Sequence, residues 1–357
     1  MADLCATLTS QGVESQILFL YGQEELKDRD GSVVPLPLGM KQALRMEPLG
    51  ILRLRKAVGR WKPDFFHCHS YYAVVAAQIL RCLGVRIPIV YTVHNRISEG
   101  LRSDFLIRRA ASWSDRVVAV SHATAAEFAE FTGGSVQPLV VFNGIDLRRL
   151  ELPSGFRRGD KRQELGIPPG STVIATVAAF NKQKDYATLF RAFAEAMAQL
   201  TETRLMVVGD GPDRLVLRTM VANLGIQRQV TFLGTRTDVP ELLAASDIFV
   251  LSTHTEGLPL AVIEAFCLGT PVVATDVGGV RDLRHLDLGV LLTDHAGVDS
   301  LRQAILSLAD SEYRLTLANR LRHRAREIFD IAGIAAQYVS IYRALLDQES
   351  PRPVVPS

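Results

Sequence analysis

The chain has 357 residues, 48% of them hydrophobic and 22% charged. That is the balance of a soluble globular protein with room for two domains. Lys and Arg number 40 against 38 Asp and Glu, which excludes a strongly polyanion-binding chain, and no nucleic-acid partner is expected.

The four cysteines, Cys5, Cys68, Cys82 and Cys267, contain no C-x-x-C pair. A disulfide framework and a structural zinc site are not expected, and a reducing compartment fits. No apolar run reaches the roughly 18 residues of a membrane span. No basic and then apolar leader is recognised at Met1. A cytoplasmic location is expected.

In chain order, residues 1–8 read as the interior of an amphipathic helix. Short Val/Ile-rich runs then alternate with longer helical patterns. Strands are predicted at 15–21, 64–67, 87–92, 116–120 and 139–142, and again at 172–179, 204–208, 230–233, 248–251, 271–275 and 290–292. Such alternation predicts an α/β fold with parallel sheets, and the pattern occurs twice. Between the two runs, residues 147–170 are rich in charge, Gly and Pro and read as a linker with a short helix at 161–165. The expected division is a first domain over 1–146 and a second over 147–330. A helix at 331–347 is expected to cross back to the first domain, followed by a disordered, Pro-rich tail over 348–357.

Charge is uneven. Residues 1–150 hold 18 Lys/Arg against 14 Asp/Glu. The excess gathers in Lys41, Arg45, Arg53, Arg55, Lys56, Arg60 and Lys62, opposed only by Glu47. Ile51, Leu54, Val58 and Trp61 fall among them at helical spacing. A basic amphipathic helix suits an anionic membrane surface, with Arg53, Arg55, Lys56 and Arg60 as the contacts. The competing reading is a solvated helix whose apolar stripe packs on the sheet.

The segment 246–275 carries the chemistry. A strand ends near Leu251, a loop follows, and a helix is predicted from Pro259, a residue suited to a first helical turn. The amides around Gly257, Leu258 and Leu260 then lie at a positive helix end, a site for an anion such as diphosphate. Glu256 precedes this helix and Glu264 lies within it. Carboxylates beside an anion site need another partner, and paired sugar hydroxyls fit them. Amides for phosphate and carboxylates for hydroxyls together describe a nucleotide-sugar site. The plainer alternative is two acids serving as cap and dipole partners, worth about 0.3–1 kcal/mol each.

With its neighbours this segment resembles a known family. Glu256-x7-Glu264, then Gly269-x-Pro271-Val-Val-Ala-Thr and Gly278-Gly279, is similar to the retaining glycosyltransferases of family 4. Tyr91-Thr92-Val93-His94, Asp115-Arg-Val-Val-Ala-Val-Ser121, Val141-Phe142-Asn143-Gly144-Ile145-Asp146, Gln183-Lys184-Asp185, Val208-Gly209-Asp210-Gly211-Pro212 and Phe232-Leu233-Gly234 also match in order. The resemblance runs from residue 1 to about 346.

It implies a GT-B fold, in which two Rossmann-like doubly wound domains face each other across a cleft. It also implies transfer of a sugar from a nucleotide-sugar donor to a glycan or lipid-linked acceptor, with retained configuration. By resemblance Glu264 binds the ribose hydroxyls and Glu256 the donor sugar. The amides of Gly257, Leu258 and Leu260, with Pro259 among them, face the diphosphate. Lys184 stabilises the departing diphosphate, and His94 reaches the donor sugar. No metal or other cofactor is implied. His67 and His69 alternate on a strand, but no third ligand joins them in sequence, so a metal site is not expected there.

Two departures stand out. The family's usual Gly-Arg is Ala178-Ala179 here, so the arginine that partners the lysine is replaced by Ala179, with Lys182 as a nearby substitute. The first residues also align with the interior of the family's first helix, so its first strand and Gly-rich loop are expected to be missing, through a misplaced start or a truncated copy. The alternative function is therefore a catalytically impaired nucleotide-sugar-binding protein. A sugar-nucleotide epimerase or phosphorylase of similar architecture fits the Glu256-x7-Glu264 motif less well.

Overall fold

The computed structural model describes residues 1–19, 33–35, 48–94, 101–200, 202–309 and 311–349. Residues 350–357 of the predicted disordered tail, with Lys41, Arg45 and Glu47, lie outside them, whereas residues 348 and 349, expected in that tail, are the last of a helix that runs to Glu349. The chain forms two compact units, one of Met1–Gly144 with the segment from Ile331 and the other of Ile145–Asp330.

The first unit opens with helix α1 (Ala2–Ser10). Strands β1 (Ile17–Phe19) and β2 (Val33–Pro35) then pair in parallel, with Ile17 opposite Val33. The amphipathic helix α2 (Pro48–Trp61) follows. Next come β3 (Phe66–Cys68), α3 (Tyr71–Cys82), β4 (Ile89–Val93), α4 (Leu101–Trp113), β5 (Arg116–Ala119), α5 (His122–Phe131) and β6 (Leu139–Val140). Strands β3 to β6 form one parallel sheet in sequential order. All five residues of β4 are buried, as expected of a strand covered on both faces.

The second unit contains α6 (Arg158–Glu164), β7 (Thr172–Val177), α7 (Tyr186–Ala196), β8 (Thr203–Val208), α8 (Arg214–Asn223), β9 (Val230–Gly234) and α9 (Val239–Ala245). It continues with β10 (Ile248–Leu251), α10 (Leu260–Leu268), β11 (Val272–Thr275), β12 (Leu291–Thr293), α11 (Val298–Ser307) and α12 (Ser311–Phe329). Its six-stranded parallel sheet has the order β12-β11-β10-β7-β8-β9. From β7 the chain winds outward through β8 to β9, then returns to place β10 on the other side of β7. The junction of β7 and β10 is therefore the topological switch point, the crevice in which doubly wound sheets bind ligands.

Helix α13 (Ile331–Glu349) belongs to the first unit. Its Ile334, Ala335, Tyr338, Val339, Tyr342 and Leu345 share a buried cluster with Leu8, Val90, Val118 and Val141. These six recur at three- and four-residue spacing, so one helical face is buried.

Strand ends shift by a residue or two from the sequence expectation, as frayed ends do, and four elements differ in particular. The first predicted strand begins at Ile17 rather than 15 and is described to Phe19, its residues 20 and 21 lying outside the described residues. Strand β2 was not predicted, its Val-Val-Pro being too short to register as a run. The short linker helix begins at Arg158 rather than 161. Helix α10 begins at Leu260, with extended Pro259 as its N-cap.

Candidate functional site

Two of the acids and bases singled out in sequence meet at the switch point. Lys184 follows β7 and Glu256 follows β10, and the Lys184 ammonium donates to Glu256 Oε1. Both side chains are largely buried, at 16% and 9% exposure. Thr253 Oγ1 lies 3.4 Å from the same carboxylate oxygen. The acid that seemed misplaced beside an anion site is thus neutralised by the lysine assigned to the anion.

Backbone and side-chain bonds hold the two loops together. Gln183 Nε2 donates to the Thr255 carbonyl at 2.7 Å, and the His254 amide donates to the Gln183 carbonyl at 2.8 Å. Thr253 Oγ1 donates to that same carbonyl at 3.0 Å. From β11, Thr275 Oγ1 accepts from the Thr253 amide at 3.0 Å and donates to the Thr253 carbonyl at 2.9 Å. Both threonines are fully buried, which explains the Thr that closes Pro271-Val-Val-Ala-Thr.

The glycines of the matching motifs permit close backbone approach. A Cβ at Gly278, whose φ is +46°, would sit 1.9 Å from the Glu256 carbonyl oxygen. The Gly279 amide donates to that oxygen at 3.1 Å. Gly209 at φ +133° leaves no room either, because its Cβ would sit 2.0 Å from the Ala178 carbonyl oxygen. The loops after β7, β8, β10 and β11 are therefore one bonded layer at the carboxyl edge of the sheet.

Helix α10 points its amino end into this layer. The Val262 and Ile263 amides bond to the Pro259 carbonyl at 3.2 and 3.4 Å, so the Leu260 and Ala261 amides precede the helical ladder. Pro259 itself has no N–H. Gly257 and Leu258 are buried, whereas Leu260 is 51% exposed. The helix thus starts one residue later than predicted, and of the amides expected there that of Leu260 lies at its free end.

Glu264 lies four residues after Leu260, one turn on along the same face. It is half-buried. Burial pushes its carboxyl up to about 7, against the opposing pull of Arg149. Ala179, in the place of the family's arginine, is exposed, as is Lys182.

Sequence reading missed three features here: Thr253, Gln183, and the His254–His295 pair at 2.8 Å. Only the fold brings these together, since they come from three loops. Two charge clusters stand apart from the site. Asp247, at the opposite end of β10, accepts from the Val173 amide at 2.7 Å and from Arg162 at 2.6 Å. Buried Lys161 pairs with Asp238 at 2.6 Å and Glu241 at 3.1 Å. These anchor α6 and α9.

His94 lies in the first unit, just past β4, where the fold adds what the sequence could not show. His69 Nδ1 and His94 Nε2 share a hydrogen bond of 2.8 Å. His67 and His69 do point the same way, with ring centroids 4.2 Å apart. His67 bonds through Nε2 to Thr92 Oγ1 and through Nδ1 to Tyr342 Oη, both at 2.7 Å. Burial holds His67 down to about 3, His94 to about 4, and His69 well below the usual imidazole range. Among the described residues no three His, Cys, Asp or Glu side chains are placed to hold a metal ion.

On α2, Leu54 and Val58 are buried with Ala76 and Leu80, while Arg53, Arg55, Lys56 and Arg60 are exposed. A cavity of 360 Å³ beside this helix is lined by Val58, Val85 and Ile87, with Arg55 and Lys62.

Comparison with known proteins agrees with this architecture. A family profile described as "Glycosyltransferase Family 4" matches residues 1–149, and one described as "Glycosyl transferases group 1" matches residues 157–328. N-acetyl-alpha-D-glucosaminyl L-malate synthase of Bacillus anthracis is 32% identical over 305 residues, covering 82% of this chain and 78% of the relative. An Escherichia coli UDP-Gal:alpha-D-GlcNAc-diphosphoundecaprenol alpha-1,3-galactosyltransferase is 27% identical, with the same coverage.

Among solved structures, Anabaena HepE in complex with UDP-glucose superposes with a TM-score of 0.73 at 26% identity, covering 84% of each chain. A Rickettsia africae glycosyltransferase superposes at 0.82 and 17% identity, covering 98% of this chain and 94% of its own. The fold class is that of the GT-B glycosyltransferases. The chain belongs to family 4 of these enzymes.

Proposed function

We propose that this glycosyltransferase takes its sugar from a nucleotide-sugar donor bound over the β7–β10 switch point, with retained configuration. One observation carries the reading: Lys184 and Glu256 converge there beside the open amino end of α10, with Glu264 one turn on. Glu264 receives the ribose hydroxyls and Glu256 a sugar hydroxyl. The amino end of α10 and Lys184 stabilise the charge that grows on the diphosphate as the glycosidic bond breaks.

The Lys184–Glu256 bond gives this assignment a physical basis. A lysine already held at the crevice needs little reorganisation to meet a phosphate, and preorganised charge is the larger part of such catalysis. His94 acts on the transferred sugar. No step is assigned to a metal, since helix and lysine supply the positive charge. HepE was solved with UDP-glucose, and the E. coli relative's name gives a UDP-sugar donor and a diphosphoundecaprenol acceptor. Both support a nucleotide-sugar donor, and the second a lipid-linked or glycan acceptor.

The protein works in the cytoplasm, with α2 against an anionic membrane face through Arg53, Arg55, Lys56 and Arg60. No described helix is long and apolar enough to cross a membrane. The exposed Ala179 favours a second reading, binding without efficient turnover. Donor transfer assays with UDP-sugars decide between the two, together with UDP binding by Glu264→Ala. The variant should weaken UDP binding on either reading, and measurable transfer by the native chain is expected only on the first. Unchanged UDP affinity in Glu264→Ala would remove the site assignment.

A further inference from the structure

The half-buried imidazoles of the first unit are more numerous than the proposed reaction uses. His94 is bonded through Nε2 to His69 Nδ1, so only His94 Nδ1 and His69 Nε2 lie outside that bond. Burial holds both rings neutral at neutral pH.

Two neutral imidazoles carry two N–H groups between them, and one of these occupies the shared bond. The other must sit on the far nitrogen of whichever ring accepts. If His69 donates, His94 Nδ1 is an N–H and His69 Nε2 a lone pair. If His94 donates, the two roles exchange. In both arrangements one outer nitrogen is a donor and the other an acceptor, at opposite ends of the pair, because rings with centroids 5.1 Å apart and a 2.8 Å bond between them lie end to end. The tautomers of His94 and His69 are therefore coupled through the shared bond, each fixing the other.

The rings behind hold this pair in place. His67 lies against His69 and is itself bonded on both nitrogens, to Tyr342 and Thr92. Thr92 Oγ1 also lies 3.3 Å from Tyr338 Oη. A phenol is the stronger acid, so Tyr342 donates to His67 Nδ1, and His67 Nε2–H then donates to Thr92. With both nitrogens engaged, His67 cannot rotate, and it fixes one face of His69.

We propose that His69 is a positioning residue for transfer. It fixes the tautomer and orientation of His94, whose Nδ1 then meets a hydroxyl of the sugar in one fixed hydrogen-bonding role. The proposal rests on the reading that His94 acts on the transferred sugar.

The test uses the full chain with UDP-glucose and UDP-galactose as donor probes. Kinetics are compared for His69→Ala, His69→Asn and His94→Ala, and imidazole nitrogen shifts are read by NMR. Asn keeps an amide where His69 Nδ1 stands. His69→Ala should lower kcat by about 100-fold, the scale of a misplaced reacting group, with donor KM little changed. His69→Asn should restore most of that loss. In the native chain His69 and His94 should show the same tautomer, both Nδ1–H or both Nε2–H, and His94 should become a mixture in His69→Ala.

An unchanged His94 tautomer in a folded His69→Ala, or equal losses in the Ala and Asn variants, overturns the proposal. If His94→Ala leaves turnover intact, the role of His94 itself fails, and the NMR result still reports whether His69 sets its tautomer.

Discussion

Among single residues, Glu264 and the Lys184–Glu256 pair decide most. Burial raises the Glu264 carboxyl to about 7 from an ordinary 4.5. A carboxyl raised in the folded state favours folding fully below its ordinary value, and that contribution is lost as pH rises through the folded value. The unliganded protein should therefore lose stability between 4.5 and 7 on this account, and Glu264→Gln should remove that part of the slope. Ribose binding runs the other way, because the ionised carboxylate accepts both hydroxyls. UDP affinity should fall as pH drops through this window, at most about tenfold per unit for one linked proton. Isothermal titration with UDP would show it, and a flat profile would count against Glu264 as the ribose ligand. For the pair, Lys184→Met leaves a buried carboxylate without its cation, a loss of about 3–5 kcal/mol. Adding Glu256→Gln should restore most of that stability and none of the activity. A thermal double-mutant cycle combined with transfer rates separates these two effects. Additive destabilisation would mean that the two side chains do not interact.

At the scale of elements, the strands of both sheets were legible because buried parallel strands read as short Val/Ile runs. The amino end of α10 was legible from its motif, but not to the residue. Proline suits both N-cap and first-turn positions, and only the extended backbone at Pro259 separates them. What holds the loops together was not legible, since Gln183 and Thr253 come from two loops and Thr275 from the end of β11, and they carry no shared spacing. Gly278 shows why the motif glycines matter to the layer. Any Cβ there meets the Glu256 carbonyl, so Gly278→Ala must push the Glu256 loop away from Lys184. The substitution should reduce UDP-sugar turnover by about 100-fold, as small displacements of reacting groups do. A protein that stays folded with native turnover would contradict the packing. Helix α2 answers one sequence question in part. Its Leu54 and Val58 pack inward, so the core-helix reading holds for that stripe, while its cations remain exposed. Replacing Arg53, Arg55, Lys56 and Arg60 with Glu should abolish binding to anionic phosphatidylserine vesicles, each cation contributing about 1 kcal/mol. Sedimentation at low and high salt measures it, and equal binding by the variant would leave α2 as a core helix alone.

At the scale of the whole molecule, the first unit is completed by chain that follows the second. Sequence periodicity marks α13 as a helix, but periodicity cannot say what a face packs against. The hydroxyls of Tyr338 and Tyr342 supply that information, because they bond to Thr92 and His67. The buried face of α13 also covers Val90 and Val118 of the central strands β4 and β5. Gly144 adds a close contact, since a Cβ there would lie 2.9 Å from Ile334 and 3.0 Å from the Ile331 backbone. Removing α13 would expose two core strands and leave the His67 and Thr92 polar groups without their tyrosines. Each buried polar group so orphaned costs about 1–3 kcal/mol, besides the apolar area uncovered. A domain's stability is only about 5–15 kcal/mol, so the first unit should not survive this loss. The second unit keeps its sheet and both charge clusters. A chain ending at Asp330 should therefore show one cooperative melting transition, from the second unit, and proteolysis should cut first within residues 1–144. Tyr342→Phe is the milder control, retaining two transitions with the first shifted downward. Two intact transitions in the chain ending at Asp330 would show that α13 is dispensable to the core it covers.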